Sequence, residues 1–186
     1  MRVIAGKWKS KILNSPKTDK TRPTLDRVKE ALFSMLMPYL QDATVLDLFS
    51  GTGNLGIEAL SRGAKFVYFN DVNNDAVRVI YSNVQLTNYE SCAKITKKDY
   101  DKCLKSLNEQ NINFDIIFLD PPYEAKVEEK CLSILSNSSI VNEDTIIVLE
   151  SDKDKVFNEI IDGLCLVDKR TYGRVMLRTY KREENI

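Results

Sequence analysis

The chain has 186 residues, 43% of them hydrophobic and 29% charged, with equal numbers of basic and acidic side chains. That length suits one globular domain with a small appendage, and with no apolar run near the roughly 20 residues that span a bilayer, no membrane partner is expected. Histidine is absent, which excludes Ser-His and Cys-His nucleophilic schemes and histidine-ligated metals.

Residues 1–22 carry seven basic side chains, Arg2, Lys7, Lys9, Lys11, Lys17, Lys20 and Arg22, against one acid, Asp19. They predict a small basic arm or hairpin. The opening MRVIAGKWKSKIL holds no signal-peptide core or cleavage pattern, so the expected location is the cytoplasm. In TLDRVKEALFSMLMPYL (24–40), Leu25, Val28, Leu32, Met35, Leu36 and Tyr39 recur at helical spacing, with Thr24 placed as N-cap. From residue 44 to 182 short apolar runs alternate with helical patterns. TVLDLF (44–49) precedes LGIEALSR (55–62), and KFVYFN (65–70) precedes NNDAVRVIYSNVQL (73–86). AKIT (93–96) precedes YDKCLKSLNEQ (100–110), and FDIIFLD (114–120) precedes KVEEKCLSILSN (126–137). TIIVLE (145–150) precedes DKVFNEIIDG (154–163). Five strand–helix alternations predict right-handed crossovers and a Rossmann-like α/β core, its mostly parallel sheet covered on both faces. LCLVDKRTYG and RVMLRTYK, joined around Tyr172-Gly173, predict an antiparallel hairpin closing the sheet edge. Residues 169–182 hold six basic side chains and no acid, so each end carries +6 and the middle −12. Two basic ends predict a polyanion-binding surface. Cys92, Cys103, Cys131 and Cys165 form no C-x-x-C pair and predict buried free thiols; no metal site is expected.

In VLDLFSGTGNLGIEAL, Gly51, Gly53 and Gly56 spell G-x-G-x-x-G between a strand and a helix, and Asp71 follows 20 residues after Gly51. That pattern is the dinucleotide fingerprint. Asp47 argues against it, because a carboxylate facing a pyrophosphate repels it. The same carboxylate suits the α-ammonium group of an amino acid, and Phe49 and Ser50 leave a wider loop than a phosphate cradle. A ligand with adenosine at one end and an ammonium-bearing amino acid at the other is S-adenosylmethionine. Ligands of open α/β sheets lie outside the carboxyl ends of the strands, so Asp47, Asn70, Asp71 and Asp120 are expected to converge. Asp99 and Tyr100 follow the third strand and are placed either to flank the adenine or, for Asp99, to cap a helix.

DIIFLDPPYEAK (115–126) ends a buried strand in Asp120-Pro121-Pro122-Tyr123. Neither proline has an N–H, so the sheet ladder stops there. A carboxylate with free carbonyls is an array of acceptors, which suits a ligand group bearing two donors, an exocyclic amine. Tyr123 offers a face on which a nucleobase stacks. Acceptors gripping both hydrogens favour a tetrahedral nitrogen aimed at a sulfonium methyl, so transfer is an in-line displacement driven by positioning and electrostatics.

Four stretches together, RVIAGKWKSKIL, TRPTLDRVKEALFSML, VLDLFSGTGNLGIEALSRGA and DIIFLDPPY, with the closing YGRVMLRTYKR, resemble the RsmD-type methyltransferases. The resemblance covers nearly the whole chain. It implies a class I S-adenosylmethionine-dependent methyltransferase fold and methylation of the N2 amine of a guanine in 16S ribosomal RNA. D-P-P-Y is shared by many amino-methyltransferases; R-x-I-x-G-x-W and T-R-P-T-x-D-R-V are more specific. By this resemblance Asp120, Pro121, Pro122 and Tyr123 hold the guanine. Asp47, Phe49, Ser50, Gly51 and Gly53 hold the cofactor, and Arg22, Pro23, Thr24 and Arg27 approach cofactor or RNA. Relatives end the second strand in an acid for the ribose; here Asn70 stands there and Asp71 follows, and either can take that role. The surface expected to meet ribosomal RNA includes Arg2, Lys7, Lys9, Arg27 and Arg174, with Trp8 either stacking on RNA or packing in the core. The substrate is naked RNA or a small-subunit particle, and the enzyme is expected to be a monomer. Three rival readings are a DNA amino-methyltransferase, which usually needs a recognition domain this length cannot hold, a nicotinamide-dependent oxidoreductase, which leaves D-P-P-Y unexplained, and a non-catalytic RNA-binding module.

Overall fold

A computed structural model describes residues 1–15, 23–122 and 127–183. Helix α1 (Pro23–Leu40) leads into β1 (Thr44–Asp47), α2 (Asn54–Ser61), β2 (Phe66–Asn70), α3 (Asn74–Leu86), β3 (Ala93–Thr96), α4 (Tyr100–Glu109), β4 (Ile116–Leu119) and α5 (Glu128–Ser136). The chain ends in β5 (Ile146–Asp152), β6 (Ile160–Ile161), β7 (Leu164–Tyr172) and β8 (Val175–Arg182). The strands form one sheet in the order β3-β2-β1-β4-β5-β8-β7-β6. Pairs among β1 to β5 are parallel, because a helix carries the chain back after each of β1 to β4. β8 then joins β5 antiparallel, and β7 and β6 follow antiparallel.

Both faces of the parallel part are covered, which is why its strands read as unbroken apolar runs. Val28, Leu32 and Leu36 of α1, Ile57 of α2 and Ile80 and Val84 of α3 pack on Val45, Val67, Ile116, Phe118 and Val148. Leu104 and Leu107 of α4 and Leu132 and Leu135 of α5 pack on Leu46, Ile117, Leu119 and Leu149. Each fully buried aliphatic or aromatic side chain contributes about 1.5–3 kcal/mol. The strand order reverses between β1 and β4, so the crevice at their carboxyl ends is the place for a ligand.

The fold differs from the sequence reading at four points. DKVFNEIIDG forms no helix; Ile160–Ile161 pairs instead with Leu164 and Cys165 of β7. Val156 and Ile160, spaced as on one helix face, are 91% and 62% exposed. The cause lies beneath the loop. Buried Arg178 stacks 4.6 Å from the Phe157 ring and donates to Ser151 Oγ and to the Lys155 carbonyl. A helix would need that carbonyl for its own ladder. Helix α1 starts at Pro23, so Thr24 lies inside it and not at its N-cap; proline suits a first helical position. Tyr39 is exposed, and its place in the core stripe goes to Leu40. Finally, the closing basic run is not all surface. Arg178 is buried as above, and Arg182 donates to the carbonyls of Ser136 and Ser138 at 2.8 and 3.2 Å.

Candidate active site

The side chains picked out by the sequence gather at the carboxyl ends of adjacent parallel strands. Side chains alternate along a strand. Asp47 therefore shares a face with Val45, and Asp120 shares one with Ile116 and Phe118; both point to the side covered by α1, α2 and α3. β1 and β4 pair with Asp47 opposite Phe118, so Asp120 stands two residues beyond Asp47 on the neighbouring strand.

Asp47 is buried. Its Oδ2 accepts from Gly56 N at 3.1 Å, while its carbonyl accepts from Ser50 Oγ at 2.7 Å. Burial pushes its pKa up to about 7, against the Gly56 N–H, with Asp120 and Asp71 adding to the rise. The glycine loop is laced to β2. Ser50 N donates to the Asn70 carbonyl at 2.9 Å, Asn70 N donates to Ser50 Oγ at 3.1 Å, and Gly51 N donates to Asp71 Oδ2 at 2.8 Å. Gly51 and Gly53 have φ of 55° and 78°, a region that glycine enters without strain. A Cβ on Gly51 would meet no atom within 4 Å, so the loop borders open space, whereas one on Gly56 would strike Phe69 at 2.2 Å. The third glycine of the motif thus serves helix–strand packing.

The structure separates Asn70 from Asp71. Asn70 is buried on the opposite sheet face. Its amide donates to the carbonyls of Leu48 and Lys98 at 3.2 and 3.0 Å, and its Oδ1 accepts from Thr96 Oγ1 and Lys98 N at 2.9 and 3.2 Å. Every hydrogen-bonding site on that side chain is taken. Asp71 is half-exposed and, beyond Gly51 N, accepts among the described residues only from Asn73 N at 2.9 Å. Asp99 precedes α4 with no side-chain cap bond, so its exposed carboxylate is not spent on the helix. Phe49 and Tyr100 face each other with ring centroids 5.9 Å apart.

β4 pairs with β5 as far as Leu119 and Leu149, and the ladder stops before Asp120 and the prolines. Burial raises the Asp120 pKa to about 6. Pro121 is buried and Pro122 exposed. Arg22 and Tyr123 lie outside the described residues, as do Lys17, Asp19 and Lys20.

These features fit S-adenosylmethionine. Asp47, Asp71 and Asp120 lie close enough to raise the proton affinity of the buried Asp47, and a cation entering there relieves their repulsion. Residues 1–181 match the family described as Conserved hypothetical protein 95. Ribosomal RNA small subunit methyltransferase D of Haemophilus influenzae is 34% identical over 97% of this chain and 93% of its own length. The chain belongs to the RsmD-type methyltransferase family. The Escherichia coli (strain K12) protein of the same name is 29% identical over 98% of this chain and 90% of its own. The solved structure of yhhF from Escherichia coli aligns with a TM-score of 0.86 at 29% identity, covering 100% of this chain and 99% of that one.

The RsmD-type arm has a structural job that the sequence did not reveal. Residues 1–13 fold as a hairpin around the Arg2–Ile12 bridge and lie on α2. Fully buried Glu58 accepts from Ile4 N and Ala5 N at 2.8 and 3.0 Å and pairs with Lys29 and Arg62 at 3.1 and 2.7 Å. A Cβ on Gly6 would sit 1.7 Å from the Ser61 carbonyl oxygen, so R-x-I-x-G-x-W is a docking motif. Trp8 packs, half-buried, on the α1–α3 core. Lys29 Nζ also donates to Asn54 Oδ1 at the start of α2. Buried Asn83 ties Asn14 to the Thr52 carbonyl. The arm thereby backs the cofactor loop. Its exposed side includes Lys7 and Lys9, and Arg27 is exposed on α1. Arg2 pairs with Asp26 at 3.1 Å. Arg174, 87% exposed, stands 3.8 Å from Asp152 beside the strand ends.

Proposed function

We propose that the chain transfers a methyl group from S-adenosylmethionine to the exocyclic N2 amine of a guanine in small-subunit (16S) ribosomal RNA. The observation that carries this reading is the Asp120-Pro121-Pro122 acceptor corner, one strand from buried Asp47 and on the same sheet face. When bound, S-adenosylmethionine supplies a methyl group activated by a sulfonium. Asp47 meets the ammonium group through the carboxylate oxygen that Gly56 leaves free. Asp71 takes the ribose hydroxyls, since the Asn70 side chain is saturated. Asp99 meets the adenine amine, Phe49 and Tyr100 border its ring, and Ser50, Gly51 and Gly53 shape the loop. Arg22 approaches from the N-terminal side.

Asp120 and the Pro121 carbonyl accept the two amine hydrogens and hold the nitrogen lone pair in line with the transferred methyl. Tyr123 stacks on the base. Arg2, Lys7, Lys9, Arg27 and Arg174 meet phosphates; Trp8, by its packing, supports the arm beneath them. Among the described residues no helix is long and apolar enough to cross a membrane. The enzyme works as a cytoplasmic monomer on ribosomal RNA, bare or within a small-subunit particle.

The deciding experiment is transfer of labelled methyl to deproteinised small-subunit RNA, isolated small subunits and duplex DNA, followed by mapping of the modified nucleotide. N2-methylguanine at one RNA position is the expected result. Label confined to DNA, or on any other nucleobase atom, would overturn the reading.

A further inference from the structure

The strand TIIVLE ends in an acid at its carboxyl end, as VLD does, and that acid sits beside the diproline corner. Leu119 of β4 pairs with Leu149 of β5, so residues 120 and 150 are next neighbours on strands about 4.8 Å apart. Glu150 follows Val148 and Asp120 follows Phe118 on the face covered by α1, so the two carboxylates share one side of the sheet. Among the described residues neither has a cation. Arg178, opposite Leu149 on β8, is on the other face and holds Ser151 and the Lys155 carbonyl, while Lys155 pairs with Glu128. Burial, with the Asp120 charge beside it, pushes the Glu150 pKa up to about 8. Two desolvated carboxylates with no described partner are costly unless a ligand supplies donors.

We infer that Glu150 is the residue that selects guanine, its carboxylate accepting the ring N1–H while Asp120 accepts from the N2 amine. This rests on the reaction proposed above. Guanine offers N1–H and N2–H side by side on its Watson–Crick edge, a donor pair that two acceptors on adjacent strands match. Adenine and cytosine present a lone pair at the corresponding ring nitrogen, which a carboxylate repels. Donors arriving from the base favour the ionised form of both acids, so guanine binds with release of a proton from the pair.

The test uses an RNA fragment carrying the mapped target as guanine or as 2,6-diaminopurine, which keeps the 2-amino group but has a lone pair at N1. With the wild-type chain, single-turnover transfer to the diaminopurine RNA is expected to be slower on the order of 10–100-fold. In Glu150→Gln the amide can turn either its carbonyl or its NH2 toward the ring, and the gap narrows to about 3-fold or less. S-adenosylhomocysteine affinity of the variant should match wild type, which separates lost selection from lost folding. Equal rates on both RNAs with the wild-type chain, a comparison that needs no variant, overturn the inference while leaving the reaction standing. A full gap retained in Glu150→Gln overturns it as well. A wild-type chain that leaves the guanine RNA unmodified overturns the reaction itself.

Discussion

The two halves of the crevice are built on different terms. On the β1–β2 side nearly every polar group is held by the protein: Asp47 by Gly56, Asp71 by Gly51 and Asn73, Asn70 by Leu48, Thr96 and Lys98. On the β4–β5 side no described residue donates to the carboxylates of Asp120 or Glu150, and both, like Asp47, bind protons more tightly than ordinary carboxylates. The first half is preorganised and stable; the second keeps its acceptors for the substrate, which leaves two desolvated acids side by side. Stability is given up where the chemistry is to occur.

Substitutions can break this contrast, and the largest effect is expected at Asp120. Asp120→Ala should lower single-turnover transfer on the order of 100–1,000-fold with S-adenosylhomocysteine affinity within about 3-fold of wild type. Asp47→Asn should show the reverse pattern, with affinity weakened about 10-fold or more through the lost charge-assisted bond. If calorimetry and rapid-quench kinetics report equal losses of binding in both variants, the halves are not distinct. Next is the support beneath the cofactor half. Glu58→Ala leaves Lys29 buried beside Arg62, and a cost of about 3–5 kcal/mol is expected in denaturant unfolding, with the arm released.

A smaller effect sharpens the comparison through pH. Asp120 and Glu150 have native pKa values of about 6 and about 8, above the roughly 4 of unfolded carboxyls. The native state therefore binds more protons between those limits, and stability should fall as pH rises from about 4 to about 8. Glu150→Gln should flatten that decline, measured as the denaturant midpoint across the range, and Asp47→Asn should flatten it as well, since burial raises that carboxyl to about 7. A decline of the same steepness in Glu150→Gln would remove the pair as its source. In the wild type, transfer should rise with pH between about 6 and about 8 as the Asp120–Glu150 pair gives up its protons, consistent with both carboxylates acting as acceptors. The smallest expected change is at the rim. Arg174→Ala should weaken RNA binding only modestly and reduce the slope of log affinity against log salt by about 1; an unchanged slope would place Arg174 away from phosphate.

The sequence made the cofactor half legible because its signals are local. Glycines that must turn, an acid ending an apolar run and a helix start directly after it all lie within residues 47–56. The strands were legible because their two-sided burial leaves continuous apolar runs. What failed depended on partners distant in sequence. Val156, Phe157, Ile160 and Ile161 have helical spacing, yet Arg178 from β8 fixes their course. Asn70 stands where a ribose ligand is expected, yet Thr96 and Lys98 use up its side chain. Glu150 escaped notice because one acid after TIIVL means little until the β4–β5 register sets it beside Asp120. Lys29 and Glu58 carry no local sign of burial, and the docked arm explains it.

The asparagine clasp behind the glycine loop bears on how the protein is made. Asn14 and Asn83 grip each other across 69 positions, and Asn83 also holds the Thr52 carbonyl. A nascent chain stalled within α2 already contains the whole glycine motif but lacks the Asn83 side of the clasp. Only after translation has passed Asn83 in α3 does the cradle acquire its rear wall, so a polypeptide halted before that point lacks the clasp that steadies the methyl-donor loop.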